Sequence, residues 1–99
     1  MKTIVDNATN TSRYLFADDT PINVTSTNIE VGDPTNLDFI IGDLNSSNAT
    51  VIENVTEPVD GEGNSLWYGC KYTCASDGTW TAVEGWVDPR IIENDPNLD

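Results

Sequence analysis

The 99-residue chain contains no histidine. The commonest general base and neutral metal ligand is therefore missing. Only four residues are Lys or Arg against 17 Asp or Glu, a net charge of −13. A chain so poor in cations has little with which to displace counterions from a phosphate backbone, so no nucleic-acid partner is expected. An anionic membrane surface is disfavoured on the same ground. No apolar run approaches the ~18 residues of a membrane span, and no membrane association is expected. Two cysteines without a histidine cannot complete a zinc site unless carboxylates or a second chain contribute. The G-x-S-x-G elbow, the phosphate-cradling glycine loop and the dinucleotide fingerprint are all absent. Neighbouring acids sit in separate loops of a chain too small to wall a deep cleft. No enzyme activity, catalytic residue, metal or cofactor is expected.

Apolar residues are also scarce. Their share of 37% lies below the usual ~45–50%, a figure that counts glycine as well. Ninety-nine residues make one domain, which buries only about two-thirds of its unfolded surface. A core this thin implies a loop-rich fold or support from a partner, and homo-oligomerisation is the expectation. The acidic charge leaves attraction to a basic protein or to divalent cations open. Yet Asp6, Asp19, Asp33, Asp43, Asp60, Asp77 and Asp88 stand beside Gly, Pro, Asn or Thr, and Asp18 is one residue further off in Asp18-Asp19-Thr20-Pro21, which is turn chemistry rather than a regular anionic array. The run Asp60–Asn64 alternates oxygen ligands. The glycine and the bidentate acid of a helix-loop-helix calcium site fall at Ser65 and Lys71, so that site is excluded.

What the chain does possess is concentrated in Leu66–Val87, which holds all three tryptophans, two of the three tyrosines and both cysteines. Ala75-Ser76-Asp77-Gly78 has the composition of a type I turn closed by a left-handed glycine. Such a turn pairs Cys74 with Trp80, Tyr72 with Ala82 and Tyr68 with Trp86. Alternation across the pleat then puts Leu66, Tyr68, Cys70, Tyr72, Cys74, Trp80, Ala82 and Trp86 on one face, laid over a core. A one-residue slip would invert that assignment. Trp67, with Lys71 and Val83, points to the other face. There it is either covered by another segment or presented as an anchor for a partner. Cys70 and Cys74, about 13 Å apart along a strand, cannot form a disulfide and are expected as buried free thiols.

Upstream, Thr3–Val5 and Tyr14–Phe16 are β-prone and predicted to pair. Ile22–Thr25 and Ile29–Val31 form a second hairpin, with Val24 opposite Ile29 and Ile22 opposite Val31. Leu37–Ile41 is predicted as a central strand covered on both sides. Ala49–Val55 is another strand, with Ala49, Val51 and Val55 on one face, and a flexible connector runs from Thr56 to Ser65. Sustained helical periodicity is absent. The expected fold is all-β: a small antiparallel β-sandwich or barrel-like module of up to seven short strands. It occupies residues 1–90 as a single domain, and an irregular acidic C-terminal tail spans 91–99, where Ile91 and Ile92 are candidates to fasten a neighbouring molecule. Six Asn-x-Ser/Thr triplets reflect the abundance of Asn and Thr rather than glycosylation.

Three segments carry a resemblance: Lys2–Phe16; Phe39–Thr50, reading FIIGDLNSSNAT; and Trp67–Tyr72, which runs into Asp77–Thr81. Together they resemble short virion- or tail-fibre-associated proteins of marine tailed phages, those of cyanobacteria and pelagic bacteria. Cys74-Ala75-Ser76 ahead of Asp77-Gly78 lengthens the turn relative to the hairpins of such fibre proteins. The resemblance implies a viral structural or accessory protein that decorates a capsid or joins a tail or fibre. It would be made in the host cytoplasm without a signal peptide and carried in the virion. Two other readings follow from the residues: a carbohydrate-binding module stacking sugars on Trp67 and other aromatics, and an acidic protein that sequesters a host partner.

Overall fold

The computed structural model of the chain describes residues 1–87. They contain eight strands and no helix: β1 (Lys2–Asp6), β2 (Thr11–Phe16), β3 (Ile22–Val24), β4 (Ile29–Asp33), β5 (Asn36–Ile41), β6 (Ala49–Ile52), β7 (Tyr72–Cys74) and β8 (Trp80–Ala82). All pairings are antiparallel, in a five-stranded sheet ordered β6-β1-β2-β7-β8 and a three-stranded sheet ordered β3-β4-β5. The all-β two-sheet architecture is the expected one. Its strand count exceeds seven because every predicted run forms a ladder, including both short arms of the last hairpin. The tail, with Ile91, Ile92 and the boundary at residue 90, lies outside the described residues.

Local turn chemistry closes the hairpins. Between β1 and β2 the Asp6 carbonyl accepts the Asn10 N–H at 2.7 Å, and Asn10 takes a left-handed φ of 62°, which asparagine tolerates. Ile4 pairs with Tyr14 but Val5 with Ser12, so Arg13 is an extra residue in a bulge. From there its guanidinium reaches Asp6 at 3.3 Å and Asp43 at 3.0 Å. The β3–β4 register is the predicted one, Ile22 with Val31 and Val24 with Ile29. Thr25 closes it, accepting the Asn28 N–H on its hydroxyl and donating its own N–H to the Asn28 carbonyl. The Asp33–Asn36 break is a tight turn in which Asp33 accepts the N–H and hydroxyl of Thr35.

The principal core lies between the sheets. Ile4 from β1 meets Ile29 and Val31 from β4, Ile41 from β5 and Leu44 from the following loop, with Tyr14, Phe16, Ile22, Val24, Ala49 and Val51 packed around them. A second cluster covers the opposite face of the large sheet: Val5, Val55 and Cys74, joined by Met1, Leu15, Ile52 and Trp80. Burying a side chain such as Ile4 contributes about 2–3 kcal/mol. Leu66–Val87 is thus a cover over the second cluster and not the centre of the fold.

Several expectations need correcting. β5 is not a central strand covered on both sides; it is the last strand of its sheet, with Phe39 and Ile40 exposed. β6 ends at Ile52 rather than Val55, because Asn54 turns left-handed at φ 59°. That break in alternation sends Val55 to the second cluster, away from Ala49 and Val51. Residues 56–65 are not a flexible connector. Val59 bridges Ser65, and Asp60 accepts the N–H groups of Glu62 and Asn64. Cys70 is a free thiol but exposed, while Cys74 is free and buried.

Two stability predictions follow from this geometry. A Cβ at Gly32 would lie 2.5 Å from the Asp38 nitrogen at a φ of +111°, whereas one at Gly61 meets nothing within 4 Å. Gly32→Ala is expected to cost more than about 2 kcal/mol in urea denaturation, and Gly61→Ala less than about 0.5 kcal/mol. Donors on Thr35, on Asn64 and Glu62, and on Thr79 hold the carboxyls of Asp33, Asp60 and Asp77 below the usual carboxylate range. Because the folded values are lowered, this stabilisation is complete above the unfolded aspartate pKa of about 3.9 and disappears as pH falls through the folded values. The thermal midpoint should therefore drop below about pH 4, and Asn at all three positions should flatten that drop.

Candidate docking surface

Of the residues singled out in the sequence, Trp67 is held most firmly inside the chain. It is half-buried, and its indole N–H donates to the Ser12 hydroxyl at 2.8 Å. Thr3 donates its only hydroxyl proton to the Tyr14 carbonyl at 2.8 Å. In the Thr3–Ser12 bond the serine must then be the donor. The result is a directed relay from Trp67 through Ser12 and Thr3 to Tyr14, with Thr3 and Ser12 both at 0% exposure. The alternation that set Trp67 on a common face with Lys71 and Val83 does not hold, because Cys70 turns left-handed at φ 69° and the strand begins only at Tyr72.

Lys71 and Val83 do come together, as the Val83 N–H donates to the Lys71 carbonyl at 2.9 Å. The Lys71 ammonium donates to the Leu66 carbonyl at 2.9 Å and lies over the rings of Tyr72 and Trp86, 5.5 and 5.4 Å from their centroids. The predicted pairs survive on either side of it. Cys74 faces Trp80 and Tyr72 faces Ala82 in the ladder, and the Tyr68 and Trp86 rings meet at 5.7 Å. Trp80 touches the second cluster and donates its indole N–H to the Thr56 carbonyl. Desolvation, followed by the Asp77 charge, pushes the Cys74 thiol pKa up, keeping it protonated and inert.

The surface that the sequence did not single out is the outer edge of β5. Phe39 is 42% exposed and Ile40 53% exposed on adjacent residues of a strand that has no further neighbour among the described residues. The Phe39 ring lies 6.2 Å from Tyr14 and 5.9 Å from Phe16, which stack on each other at 5.9 Å. Aromatic and aliphatic area therefore continues from the strand edge onto β2. Because Phe39 pairs with Val31 while Leu37 pairs with Gly32, Asp38 is an unpaired bulge residue. Beyond it, Phe39-Ile40-Ile41 carries no lysine or proline, the residues that usually blunt an exposed edge. The signal was the unbroken apolar triplet, which sequence alone assigns equally well to a central strand.

Among the described residues no group of three or more Cys, Asp or Glu stands close enough to hold a metal ion. Asp60 spends one carboxylate oxygen on backbone N–H groups.

The relay makes an asymmetric prediction. Ser12→Ala leaves the half-buried Trp67 donor without its partner and should cost about 1–3 kcal/mol, whereas Trp67→Phe leaves Ser12 bonded to Thr3 and should cost about 0.5–1.5 kcal/mol. Urea denaturation of both variants and the double mutant measures the difference.

No protein-family model matches this chain, and no curated protein and no solved structure matches it.

Proposed function

We propose that this chain is a non-catalytic docking module that joins a protein partner through the open edge of β5. The observation that carries this reading is the exposure of Phe39 and Ile40 on adjacent residues of an edge strand, with the Phe39 ring continuous with the Tyr14–Phe16 stack. Alternate residues of an edge strand direct N–H and C=O groups outward, and an added strand satisfies them. The thin apolar share of 37% and the absence of histidine favour building or binding over chemistry. The resemblance to short virion- and fibre-associated phage proteins supports a capsid, tail or fibre component as the partner, or a second copy.

A second reading is carbohydrate binding. It draws on the row Trp80, Tyr72, Lys71, Trp86 and Tyr68, where half-buried rings flank one ammonium group. Quenching of tryptophan fluorescence by host polysaccharides distinguishes it, since β5 contains no tryptophan.

The test is co-expression with the proteins encoded beside it, together with light scattering of the purified chain. At least one complex or self-assembly should form. The Phe39→Ser/Ile40→Ser double variant should keep its circular dichroism spectrum and weaken that association at least tenfold, on the order of the contribution of two buried apolar side chains. A strict monomer that joins no such protein would sink the reading.

A further inference from the structure

The chemistry of the partner segment can be read from the charges around β5, taking the docking role of that edge as given. Among the described residues every side-chain cation is already engaged. Lys2 donates to the Thr20 carbonyl and pairs with Glu53. Arg13 is held between Asp6 and Asp43. Lys71 is bound to the Leu66 carbonyl and covered by two rings. The acids near β5 are less fully matched. Glu30 lies directly across from Ile40 on β4 and holds only the neutral Asn23 amide, at 2.8 Å. Asp38 stands exposed in the bulge beside Phe39, and Asp33 is exposed at the turn that enters the strand.

The open edge thus presents two exposed apolar side chains, Phe39 and Ile40, framed by carboxylates, and no cation among the described residues is free beside it. Two copies would bring these like-charged frames together at a net charge of −13 each, which favours the monomer. We infer that the occupant of the β5 edge is an extended segment of a basic partner protein, its apolar side chains meeting Phe39 and Ile40 and its Lys or Arg side chains meeting Glu30, Asp38 and Asp33. Backbone pairing supplies the attachment, and charge selects the partner.

The test uses the full chain, labelled for amide NMR, and three capped peptides: one alternating Val with Lys, one Val with Glu and one Val with Ser. The Val–Lys peptide should shift and protect the amides of Phe39–Ile41 ahead of those of β6 and β8. It should bind at least about tenfold more tightly than the Val–Glu peptide, and lose about tenfold between ~10 and ~200 mM salt. Glu30→Gln/Asp38→Asn, which removes both charges and keeps both side-chain shapes, should remove most of that salt dependence, with an unchanged circular dichroism spectrum as the check on folding. If the Val–Ser peptide matches Val–Lys at β5, or a dimer through β5 forms at low salt, the basic partner is wrong while the docking edge stands. Binding of Val–Lys spread over the acidic loops without shifts at Phe39–Ile41 also overturns it. If no peptide and no second copy touches β5, the docking reading fails with it.

Discussion

Ile4 and Val5 are consecutive residues of one strand, and both are buried, at 0% and 4% exposure. Successive side chains on a strand point to opposite faces, so the five-stranded sheet must be covered on both sides. A 99-residue chain has little apolar material for that task. It uses the three-stranded sheet for one face. On the other face Val55, Met1 and Trp80 pack over Val5, Leu15, Ile52 and Cys74, and the Trp67 indole bonds Ser12. The division accounts for the two separate clusters, and for why neither is large.

The second cover is held as much by polar contacts as by area. Trp67 and Trp80 reach it as rings with a donor at one end, and each donor is spent on a distant segment, Ser12 or Thr56. The relay through Ser12 and Thr3 leaves no described buried side-chain polar atom without a partner. A satisfied network of this kind specifies one arrangement, since any shift leaves a desolvated group unpaired. Trp67, which the sequence left as either covered or an anchor, and Trp80, expected to face the core, both serve as staples between loops and the sheet.

Covering both faces of the large sheet leaves the small one with an open flank. β4 is enclosed by β3 and β5, while among the described residues β5 has a partner on one side only. Its bulge at Asp38 requires glycine opposite, and Gly32 supplies it with a φ of +111° and a Cβ position already filled by Asp38. The bend delivers Phe39 toward Tyr14 and Phe16 without burying it. The apolar edge that results is surrounded by acidic residues, Asp33, Asp38 and Glu30.

The sequence by itself determined whatever depends on neighbours a few residues apart. Turn residues and the two-residue period set the all-β class, the Val24–Ile29 and Cys74–Trp80 registers, and the turn role of Asp33 and Asp77. These depend on local backbone preference and the pleat, both of which act over one hairpin. Only the tertiary structure decided which strands stand at the edges, which cluster Val55 joins, and where Trp67 finds its partner 55 residues away. The left-handed turns at Asn54 and Cys70 also escaped the pattern, since alternation assumes an unbroken strand. Phe39-Ile40-Ile41 has the same composition at a centre or an edge. Its exposure was settled by which strands share its sheet, since no strand among the described residues pairs with its outer edge.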